Sequence, residues 1–464
     1  MKHIRTRIAP SPTGEDIHIG NLYTALMNYA WAKKNNGEFI VRIEDTDRER
    51  FVTGAEEKII ESLRNYGIVY DEGPETVGKY SPYRQSERLA VYHKFAEELV
   101  GLKKAYYCFC TKERLDGLRK EQMVQKKTPR YDKYCLNHIK NAKEKVESDE
   151  KFVIRLNVEP GDEISFEDVV RGKITFQSKE VDDQVLIKSD GFPTYHMAVV
   201  VDDHLMKITH IIRAEEWISS TPKHVLLYKS FGWELPVFAH LPILRNPDRS
   251  KLSKRKNPVW ASWYLDEGYL KESVLNFLAL MGWSHPEEKE IFSLQEFIEL
   301  FDLKDLKAVG PIFDLQKLTW MNQQYIQNLS DEDLKKEIKS YSKSSLSIDD
   351  STMDKVIPLV KTRMETLKEF KILTDPIFNA PNVSPRNESE TSAADCLIKN
   401  IENIDSWNKD TIFSALKICM SEKSIRMPVY YYILTGNERG LPLPEVLEII
   451  GKDEVRKRLK NFVK

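Results

Sequence analysis

The order of apolar and polar positions near the start of the chain predicts a strand, a helix and a second strand. Ile4, Thr6 and Ile8 alternate with arginines, which is typical of a strand. A segment rich in proline and glycine follows, and apolar residues then recur at helical spacing from Leu22. The short apolar run at 38–43 is followed by acidic residues. This order predicts a βαβ unit with parallel strands.

The same alternation of strands and helices returns near residue 190. Apolar runs at 208–217 and 237–246 predict two further buried strands. The segment between them, 219–232, predicts a helix with a hydroxyl residue as its N-cap, Pro222 in its first turn and Gly232 at its end. The intervening part of the chain has a mixed pattern and contains three of the five cysteines. We therefore expect one α/β domain that is split by a large insertion.

From about residue 265 onward the pattern changes to that of helices. Segments 268–284 and 293–303 are periodic, and Ser293 with Glu296 forms a predicted capping box at the start of the second. Residues 325–464 also show mainly helical periodicity. The C-terminal part is therefore expected to be all-α.

These elements predict a fold class and a set of domain boundaries. We expect a Rossmann-like α/β domain with an α+β insertion, followed by all-α C-terminal domains, with a linker at 379–390. The expected domains are a split Rossmann-type domain at 1–75 and 190–255, an insertion at 76–189, a helical domain at 256–324 and an α-helical region at 325–464.

Composition is that of a globular protein with several domains. The chain has 464 residues, more than one core usually supports, and 41% of them are hydrophobic. We expect no membrane span and no secretion signal, because no apolar stretch is long enough. With a net charge of −2, any basic surface for nucleic acid must be local. Five cysteines favour a reducing compartment, and we expect the cytoplasm.

The proline- and glycine-rich segment 8–21 is the first candidate for chemistry. It lies between a predicted parallel strand and a helix, where open α/β sheets bind ligands. The helix that begins near His18 would offer unpaired N–H groups and the positive end of its dipole to a phosphate. His18 would donate a hydrogen bond to a phosphate oxygen, and Gly20 would let an adenine ring approach the backbone. The alternative is an ordinary turn with a capping histidine, and the Walker pattern is missing.

The second candidate is the basic segment 249–258, which contains five lysines and arginines. It follows a predicted strand and is bounded by two Asn-Pro turns, so it would form a mobile loop at the same edge of the sheet. Lysines there would stabilise charge on a transferring phosphoryl group or on departing pyrophosphate. The alternative is a solvated charged surface.

Together, the two segments resemble the signatures of class I aminoacyl-tRNA synthetases. A histidine–glycine motif stands near the N-terminus, and a Lys-x-Ser-Lys motif follows about 230 residues later. Further segments occur in the order seen in bacterial-type glutamyl-tRNA synthetases, namely RIAPSPTG, FIVRIEDTDRER, YRQSER, DGFPTYH, IIRAEEW and KLSKRK. Similarity continues through TLKEF and LTG, so the resemblance covers essentially the whole chain.

This resemblance implies ATP- and Mg²⁺-dependent activation of glutamate, with release of pyrophosphate, and transfer of the glutamyl group to the terminal ribose of tRNA(Glu). The catalytic residues would be His18, Gly20, Lys251 and Lys254. The ATP site would contain these four together with Glu216, Trp217, Leu244 and Ser253.

The glutamate site implied by the resemblance comprises Arg7, Ser11, Glu44, Tyr195 and Arg213. A guanidinium group suits a carboxylate and would leave a glutamine amide poorly paired, while a glutamate side chain suits the substrate ammonium group. The alternatives are surface salt bridges for the arginines and a packed ring for the tyrosine.

Two positions depart from the family pattern. Val199 stands four residues after the pocket tyrosine, where the family often has asparagine, so one polar contact is missing or supplied otherwise. Asn21 ends the first signature in place of a second histidine, and we do not interpret it as a loss of activity.

Three cysteines in the insertion indicate a structural zinc site. Cys108, Cys110 and Cys135 supply thiolates at a density that suits tetrahedral Zn²⁺. Some family members use tyrosine as the fourth ligand, which would be Tyr131, and His138 is the conventional rival. The alternative is three reduced thiols. The other two cysteines, Cys396 and Cys419, are expected to be ordinary core residues.

The resemblance also assigns roles to the remaining domains. The insertion and the helical domain at 256–324 would contact the acceptor stem, and the region 325–464 would bind the anticodon. Arg363 matches a position at which arginine in some relatives excludes glutamine tRNA. We expect a monomer.

Three alternatives remain open at the level of sequence. They are an enzyme that also charges tRNA(Gln), a truncated relative that modifies aspartate tRNA, and a catalytically inactive tRNA-binding paralogue. The C-terminal helical region of about 140 residues argues against the truncated relative. The presence of His18, Lys251 and Lys254 argues against the inactive paralogue.

Overall fold

The computed structural model describes residues 3–161, 163–252, 258–342 and 348–464. The chain divides into two compact units. The first comprises Met1–Tyr264 and Leu275–Asp314, and the second comprises Leu265–Val274 and Leu315–Lys464. None of the helices formed by these described residues is long and apolar enough to cross a membrane.

Strands occur only in the first unit, as far as the described residues extend. They are β1 (Arg5–Ile8), β2 (Glu38–Val41), β3 (Ala105–Cys108), β4 (Val153–Leu156), β5 (Glu163–Asp168), β6 (Gly172–Gln177), β7 (Val185–Ile187), β8 (His210–Ala214) and β9 (Val237–Leu241).

Helices occur in both units. The helices up to residue 314 are α1 (Ile19–Lys34), α2 (Ala55–Asn65), α3 (Leu89–Gly101), α4 (Lys112–Val124), α5 (Tyr134–His138), α6 (Ala142–Glu147), α7 (Tyr195–Leu205), α8 (Thr221–Ser230), α9 (Ala261–Asp266), α10 (Lys271–Leu280) and α11 (Leu294–Leu300). Those that follow are α12 (Leu315–Asn328), α13 (Asp331–Ser342), α14 (Asp350–Lys361), α15 (Glu369–Phe378), α16 (Glu388–Glu402), α17 (Lys409–Lys423), α18 (Met427–Thr435), α19 (Leu443–Ile450) and α20 (Lys452–Phe462).

Parallel strand pairs form the centre of the first unit, as the alternating pattern predicted. Strand β1 pairs with β2, and β8 pairs with β9. The N–H of Thr209 donates to the carbonyl oxygen of Arg5 over 3.0 Å, which connects the two pairs at the entrance to β8. Strand β5 adds to β9 in parallel and carries β6 antiparallel on its other side. The predicted Rossmann-like fold is confirmed.

The segment predicted as an insertion contributes to two sheets. Strands β3, β4 and β7 form an antiparallel sheet of their own, and α3 and α7 pack against it around Tyr92, Ile154 and Met197. By contrast, β5 and β6 join the sheet of β8 and β9, although they lie inside the predicted range 76–189. The structure thus contains the α+β insertion, and the domain boundaries stay a prediction.

The proline- and glycine-rich break ends where α1 begins. His18 is the N-cap of this helix, and its Nδ1 accepts a hydrogen bond from the N–H of Gly20 over 3.0 Å. Gly14 lies so close to Trp260 that a Cβ at this position would come within 2.6 Å of the indole ring. The break is therefore a packed loop that leads directly into the helix.

Two predicted helix starts differ in detail from the structure. At α8 the N-cap is a hydroxyl residue, Ser220, as predicted, but its side chain makes no capping bond. The hydroxyl of Thr221, the first residue of the helix, accepts from Arg213. At α11, the hydroxyl of Ser293 caps the helix as predicted. The carboxylate of Glu296 contacts Lys289 and His285.

The described residues of the second unit are helical, as predicted. Its predicted linker at 379–390 is too long, because Asn387 caps α16 and the helix begins at Glu388.

Two cysteines of this unit also differ from expectation. Cys396 and Cys419 form a disulfide between the neighbouring helices α16 and α17, whereas ordinary core cysteines were expected. Their separation of 23 residues hid this contact, which only helix packing creates.

Candidate active site

Two cavities of the first unit contain predicted site residues, and the larger of these two lies at the carboxyl ends of β1 and β8. Its volume is about 910 Å³. The five residues predicted to bind glutamate all line it, namely Arg7, Ser11, Glu44, Tyr195 and Arg213. Parallel strands β1 and β8 bring Arg7 and Arg213 to the same edge, although the two residues are far apart in the sequence.

Arg213 is buried at this cavity, with only 4% of its surface exposed. Its Nε donates to Nε2 of His240 over 3.2 Å. One terminal nitrogen donates to the hydroxyl of Tyr195 and to Nδ1 of His224, and the other donates to the hydroxyl of Thr221 over 2.9 Å. None of these partners is a carboxylate. Burial lowers the pKa of Arg213 from its ordinary value.

Arg7 differs from Arg213 because it is already paired. Its Nε lies 3.1 Å from Oδ1 of Asp203, a carboxylate that also accepts from Arg42 over 2.7 Å. Arg42 in turn contacts Glu44 over 3.1 Å. These groups alternate in charge within a buried region, so the network as a whole carries little net charge.

Glu44 has a perturbed pKa within this network. Burial raises the pKa of its carboxyl group to about 7, against the opposing effects of Arg42 and Arg7. The side chain therefore changes its charge near neutral pH.

Two residues singled out from the sequence, Trp217 and Val199, lie in different surroundings. Trp217 was assigned to the adenosine site, but it lines the larger cavity and stacks on Tyr195, with the ring centres 4.1 Å apart. Val199 is buried in the core that surrounds α7 and lines neither cavity.

The second cavity is smaller, about 280 Å³, and adjoins the first. Its lining includes every described member of the remaining ATP set, namely His18, Gly20, Glu216, Leu244 and Lys251. Asn21, Thr24 and Ala214 line both cavities and so mark their junction. Ser253 and Lys254 lie outside the described residues.

The N-terminus of α1 does not offer the unpaired N–H groups that we expected from the sequence. The N–H of Ile19 donates to the carbonyl oxygen of Val259, and that of Gly20 donates to the ring of His18. Asn21 and Leu22 both donate to the carbonyl oxygen of His18. The prediction was wrong because His18 accepts from three of these N–H groups and a distant residue, Val259, accepts from the fourth.

The polar groups of the smaller cavity include a histidine and an ion pair. Since Nδ1 of His18 accepts from Gly20, the proton of its neutral ring is on Nε2, which makes that atom a donor. The ammonium group of Lys251 lies 2.6 Å from Glu216.

The three cysteines of the insertion come together near the end of β3. The sulfur atoms of Cys108, Cys110 and Cys135 lie within 4.8 Å of one another. The hydroxyl of Tyr131 is 3.4 Å from Sγ of Cys108 and 3.2 Å from Sγ of Cys110. A hydrogen bond from Cys135 lowers the pKa of Cys108 well below its usual range.

His138, the rival fourth ligand, does not join this cluster. Its Nδ1 lies 2.9 Å from the carbonyl oxygen of Tyr134, and its exposed ring stacks on the ring of that tyrosine. The four groups that the structure brings together are those of the three cysteines and Tyr131.

Comparison with known proteins decides the family. Residues 3–320 match the catalytic domain of the tRNA synthetases class I (E and Q), and residues 316–463 match an anticodon binding domain. The chain belongs to this family. The predicted resemblance and the predicted enzyme class are confirmed.

Relatives of this class I synthetase agree along its whole length. A glutamate–tRNA ligase from Fusobacterium nucleatum is 43% identical over 100% of this chain and 98% of its own. One from Chlamydia muridarum is 44% identical over 99% of this chain and 93% of its own. The crystal structure of a glutamate tRNA ligase from Elizabethkingia meningosepticum in complex with its amino acid has a TM-score of 0.89. It is 36% identical and covers 100% of this chain and 99% of that one.

The residues that support the candidate site of this synthetase from within the core were not among those predicted from the sequence. Asp203, Arg42, Thr221, His224 and His240 are all buried and contact the predicted glutamate residues. One signal was available for Asp203, because two adjacent aspartates interrupt the apolar run of α7. Charged residues inside a buried helix require partners.

Proposed function

We propose that this chain is a glutamate–tRNA ligase that makes glutamyl-adenylate and then glutamyl-tRNA. In the first step the α-carboxylate of glutamate attacks the α-phosphorus of ATP, and pyrophosphate leaves. In the second step a hydroxyl of the terminal ribose of tRNA attacks the acyl carbon, and AMP leaves. Positioning and charge stabilisation supply most of the rate enhancement in such reactions.

One observation carries this proposal more than any other. Arg213 is a buried cation whose partners are all uncharged, and it lines a cavity of about 910 Å³. A buried charge that no carboxylate contacts directly is costly, so such a group indicates an anionic ligand. The side-chain carboxylate of glutamate supplies that charge.

The rest of the larger cavity suits the other groups of glutamate. In this proposal Arg7 adds positive charge near a carboxylate, and Glu44 accepts the ammonium group. Ser11 and Tyr195 supply hydroxyl groups on the same lining. The cavity volume is at the upper end of small-molecule sites, which also suits entry of the tRNA end.

The smaller cavity is the proposed site of ATP and its associated Mg²⁺. His18 would donate from Nε2 to a phosphate oxygen, Gly20 and Leu244 would contact the adenosine, and Glu216 would hold its polar edge. Lys251 would leave Glu216 and stabilise pyrophosphate, and Lys254 with Ser253 would assist from the same loop. Trp217 is proposed at the border between the two substrates, because it stacks on Tyr195.

The cysteine cluster is the proposed Zn²⁺ site, with Cys108, Cys110, Cys135 and Tyr131 as ligands. Three sulfurs within 4.8 Å and a phenol oxygen next to two of them match a four-ligand structural site. Zinc there would hold the end of β3 to the start of α5.

The helical second unit is the proposed anticodon-binding region, and Arg363 is its proposed contact for discrimination between tRNA(Glu) and tRNA(Gln). Arg363 is exposed between α14 and α15, which leaves it accessible to RNA. The proposal includes a monomeric enzyme that acts in the cytoplasm, and light scattering after gel filtration checks the monomer.

Aminoacylation with purified tRNA(Glu), ATP and radiolabelled glutamate tests the proposed function. We expect Arg213→Gln to lower kcat/KM for glutamate by about 100-fold or more and to leave the KM for ATP nearly unchanged, because a charged hydrogen-bond donor is lost at one substrate only. Arg64→Gln is the matched control, since Arg64 is exposed and pairs with Glu75.

Pyrophosphate exchange in the presence of tRNA separates this function from its rival. If the wild-type chain binds tRNA but catalyses neither pyrophosphate exchange nor aminoacylation, the chain is an inactive tRNA-binding paralogue and the proposal is wrong.

A further inference from the structure

The shell of neutral side chains around Arg213 contains two histidines that the proposed reaction has not used. His224 and His240 are buried, with 1% and 0% of their surfaces exposed. Each places a ring nitrogen 3.2 Å from a nitrogen of Arg213. A guanidinium group has only donors, so both ring nitrogens must accept.

The requirement for acceptors determines the tautomer of each ring. His240 accepts through Nε2, so its proton is on Nδ1, which lies 2.6 Å from Oδ2 of Asp168. His224 accepts through Nδ1, so its proton is on Nε2, which lies 3.0 Å from Nδ1 of His196. Both rings are therefore neutral, and each has a second partner that holds its proton on the far side.

Three neighbouring strands align this arrangement. Arg213 on β8 and His240 on β9 are register partners, and Asp168 ends β5 at the point where β5 pairs with β9. The imidazole ring of His240 thus lies between the carboxylate of Asp168 and the guanidinium group of Arg213. Its second oxygen accepts from the backbone N–H groups of Val170 and Arg171, which fixes its orientation.

This distance matters because a carboxylate in direct contact would compete with the substrate. Asp203, a buried acid of the neighbouring network, is already paired with Arg7 and Arg42. Burial lowers the pKa values of both His224 and His240, in agreement with neutral rings. Arg213 consequently keeps its positive charge for a ligand.

The bonds of Arg213 also leave a defined set of donors. Within the described part of the chain, four of its five N–H groups have partners, and the fifth is on Nη2. The hydroxyl of Tyr195 accepts from Arg213, so its own proton points elsewhere. Both residues line the larger cavity, where these two donors suit a carboxylate oxygen pair.

We propose that His224 and His240, the latter oriented by Asp168, are positioning residues that hold Arg213 for selection of a carboxylate over a carboxamide at the substrate side chain. This inference rests on the proposed function. A glutamine amide carries no negative charge for Arg213, and if its NH₂ group faced the remaining guanidinium N–H, two donors would meet and both would stay unpaired. The histidines act through Arg213 and do not themselves touch the substrate.

Removal of either acceptor provides the test, with conservative variants as rescue. In His240→Leu and His224→Leu, we expect the KM for glutamate to rise by about tenfold or more, because a buried charged donor loses its acceptor. The ratio of kcat/KM for glutamate to that for glutamine should fall by about tenfold. His240→Gln and His224→Asn restore an acceptor at the same ring position, and we expect both values to stay within about threefold of wild type.

A further variant and a control separate positioning from packing. Asp168→Asn keeps the shape but presents an NH₂ group to His240, which reverses the tautomer and should lower the same ratio. His285→Leu is the control, because His285 is also buried but pairs with Glu296 outside both cavities. It should lower the melting temperature without changing the ratio.

The outcomes distinguish this inference from the function on which it rests. A wild-type chain that does not charge tRNA with glutamate contradicts the proposed function itself. If the wild-type chain does charge tRNA with glutamate, either of two results overturns the positioning role alone. One is a glutamate-to-glutamine ratio of kcat/KM that is unchanged in both leucine variants. The other is a KM for ATP that rises in parallel with the KM for glutamate.

Discussion

At the scale of single residues, buried charge is the main feature of the candidate site. Asp202 and Asp203 are fully buried, and together they accept hydrogen bonds from Arg7, Arg42 and Arg88. Removing one partner of a buried ion pair typically costs about 3–5 kcal/mol, because the other charge is left uncompensated. This network, which includes Glu44 through Arg42, therefore fixes the floor of the larger cavity, while Arg213 has no carboxylate partner among the described residues and remains available for a ligand.

Glu44 leads to a prediction about pH. Burial raises the pKa of this carboxyl group to about 7, so the group is charged above that pH and neutral below it. Only the charged form attracts the ammonium group of glutamate. We therefore expect the KM for glutamate to rise by about tenfold between about pH 8 and about pH 6, as shown by steady-state aminoacylation at each pH.

The variant Glu44→Gln serves as the control for this prediction. It should have a high KM that no longer depends on pH in this range, because the titrating group is gone. An equally steep pH dependence in the variant would assign the titration to another residue.

At the scale of elements, the ends of helices and strands bring the candidate residues together. His18 caps α1, Glu44 follows β2, Tyr195 begins α7, and Arg213 lies near the end of β8. Side chains at these positions are held by regular backbone, which limits their movement. The cysteine cluster follows the same principle, since it joins the end of β3 to α5.

The cysteine cluster leads to a prediction about metal content. We expect the purified chain to contain about one Zn²⁺ per molecule, and Cys135→Ser to lose it, because structural zinc sites need all four ligands. Metal analysis of protein purified without chelators measures both values. The variant should also melt at a lower temperature.

His138→Ala is the matched control at this site. The ring of His138 is engaged with Tyr134 outside the cluster, so the variant should keep its zinc. Loss of zinc from His138→Ala, with retention in Tyr131→Phe, would reverse the assignment of the fourth ligand.

At the scale of the whole molecule, the two units divide the proposed tasks. All residues that line the two cavities belong to the first unit, whereas Arg363 belongs to the second. The second unit has its own hydrophobic cores, one of them around Leu397, Leu416 and Leu447. It is therefore built as a stable body that can present exposed side chains to RNA.

This division leads to a prediction for Arg363→Ala. We expect the KM for tRNA(Glu) to rise by several-fold, or charging of tRNA(Gln) to increase, because a cationic side chain that contacts RNA is lost. The KM values for ATP and glutamate should stay within about twofold. Kinetics with each purified tRNA measure both effects, and a change in the amino acid KM alone would contradict the assignment.

Most of the fold was predictable because its signals are local. The strand and helix periods near residues 4–34 and 208–246 indicated the parallel pairs, and the C-terminal periodicity indicated helices. Errors arose where a distant segment changed a local preference. At the start of α1, for example, the N–H of Ile19 donates to the carbonyl oxygen of Val259, while those of Gly20, Asn21 and Leu22 donate to His18.

The sequence by itself determined the family, the parallel α/β core and the identity of the residues around the two cavities, because spaced motifs and residue chemistry are readable along the chain. Only the tertiary structure decided which charges offset one another. Arg7 meets Asp203 across 196 residues, and His240 meets Asp168 across 72. Such contacts depend on strand order and helix packing, which bring buried polar groups together regardless of their distance in sequence. That is why only the folded chain shows that no carboxylate of the described residues contacts the guanidinium group of Arg213.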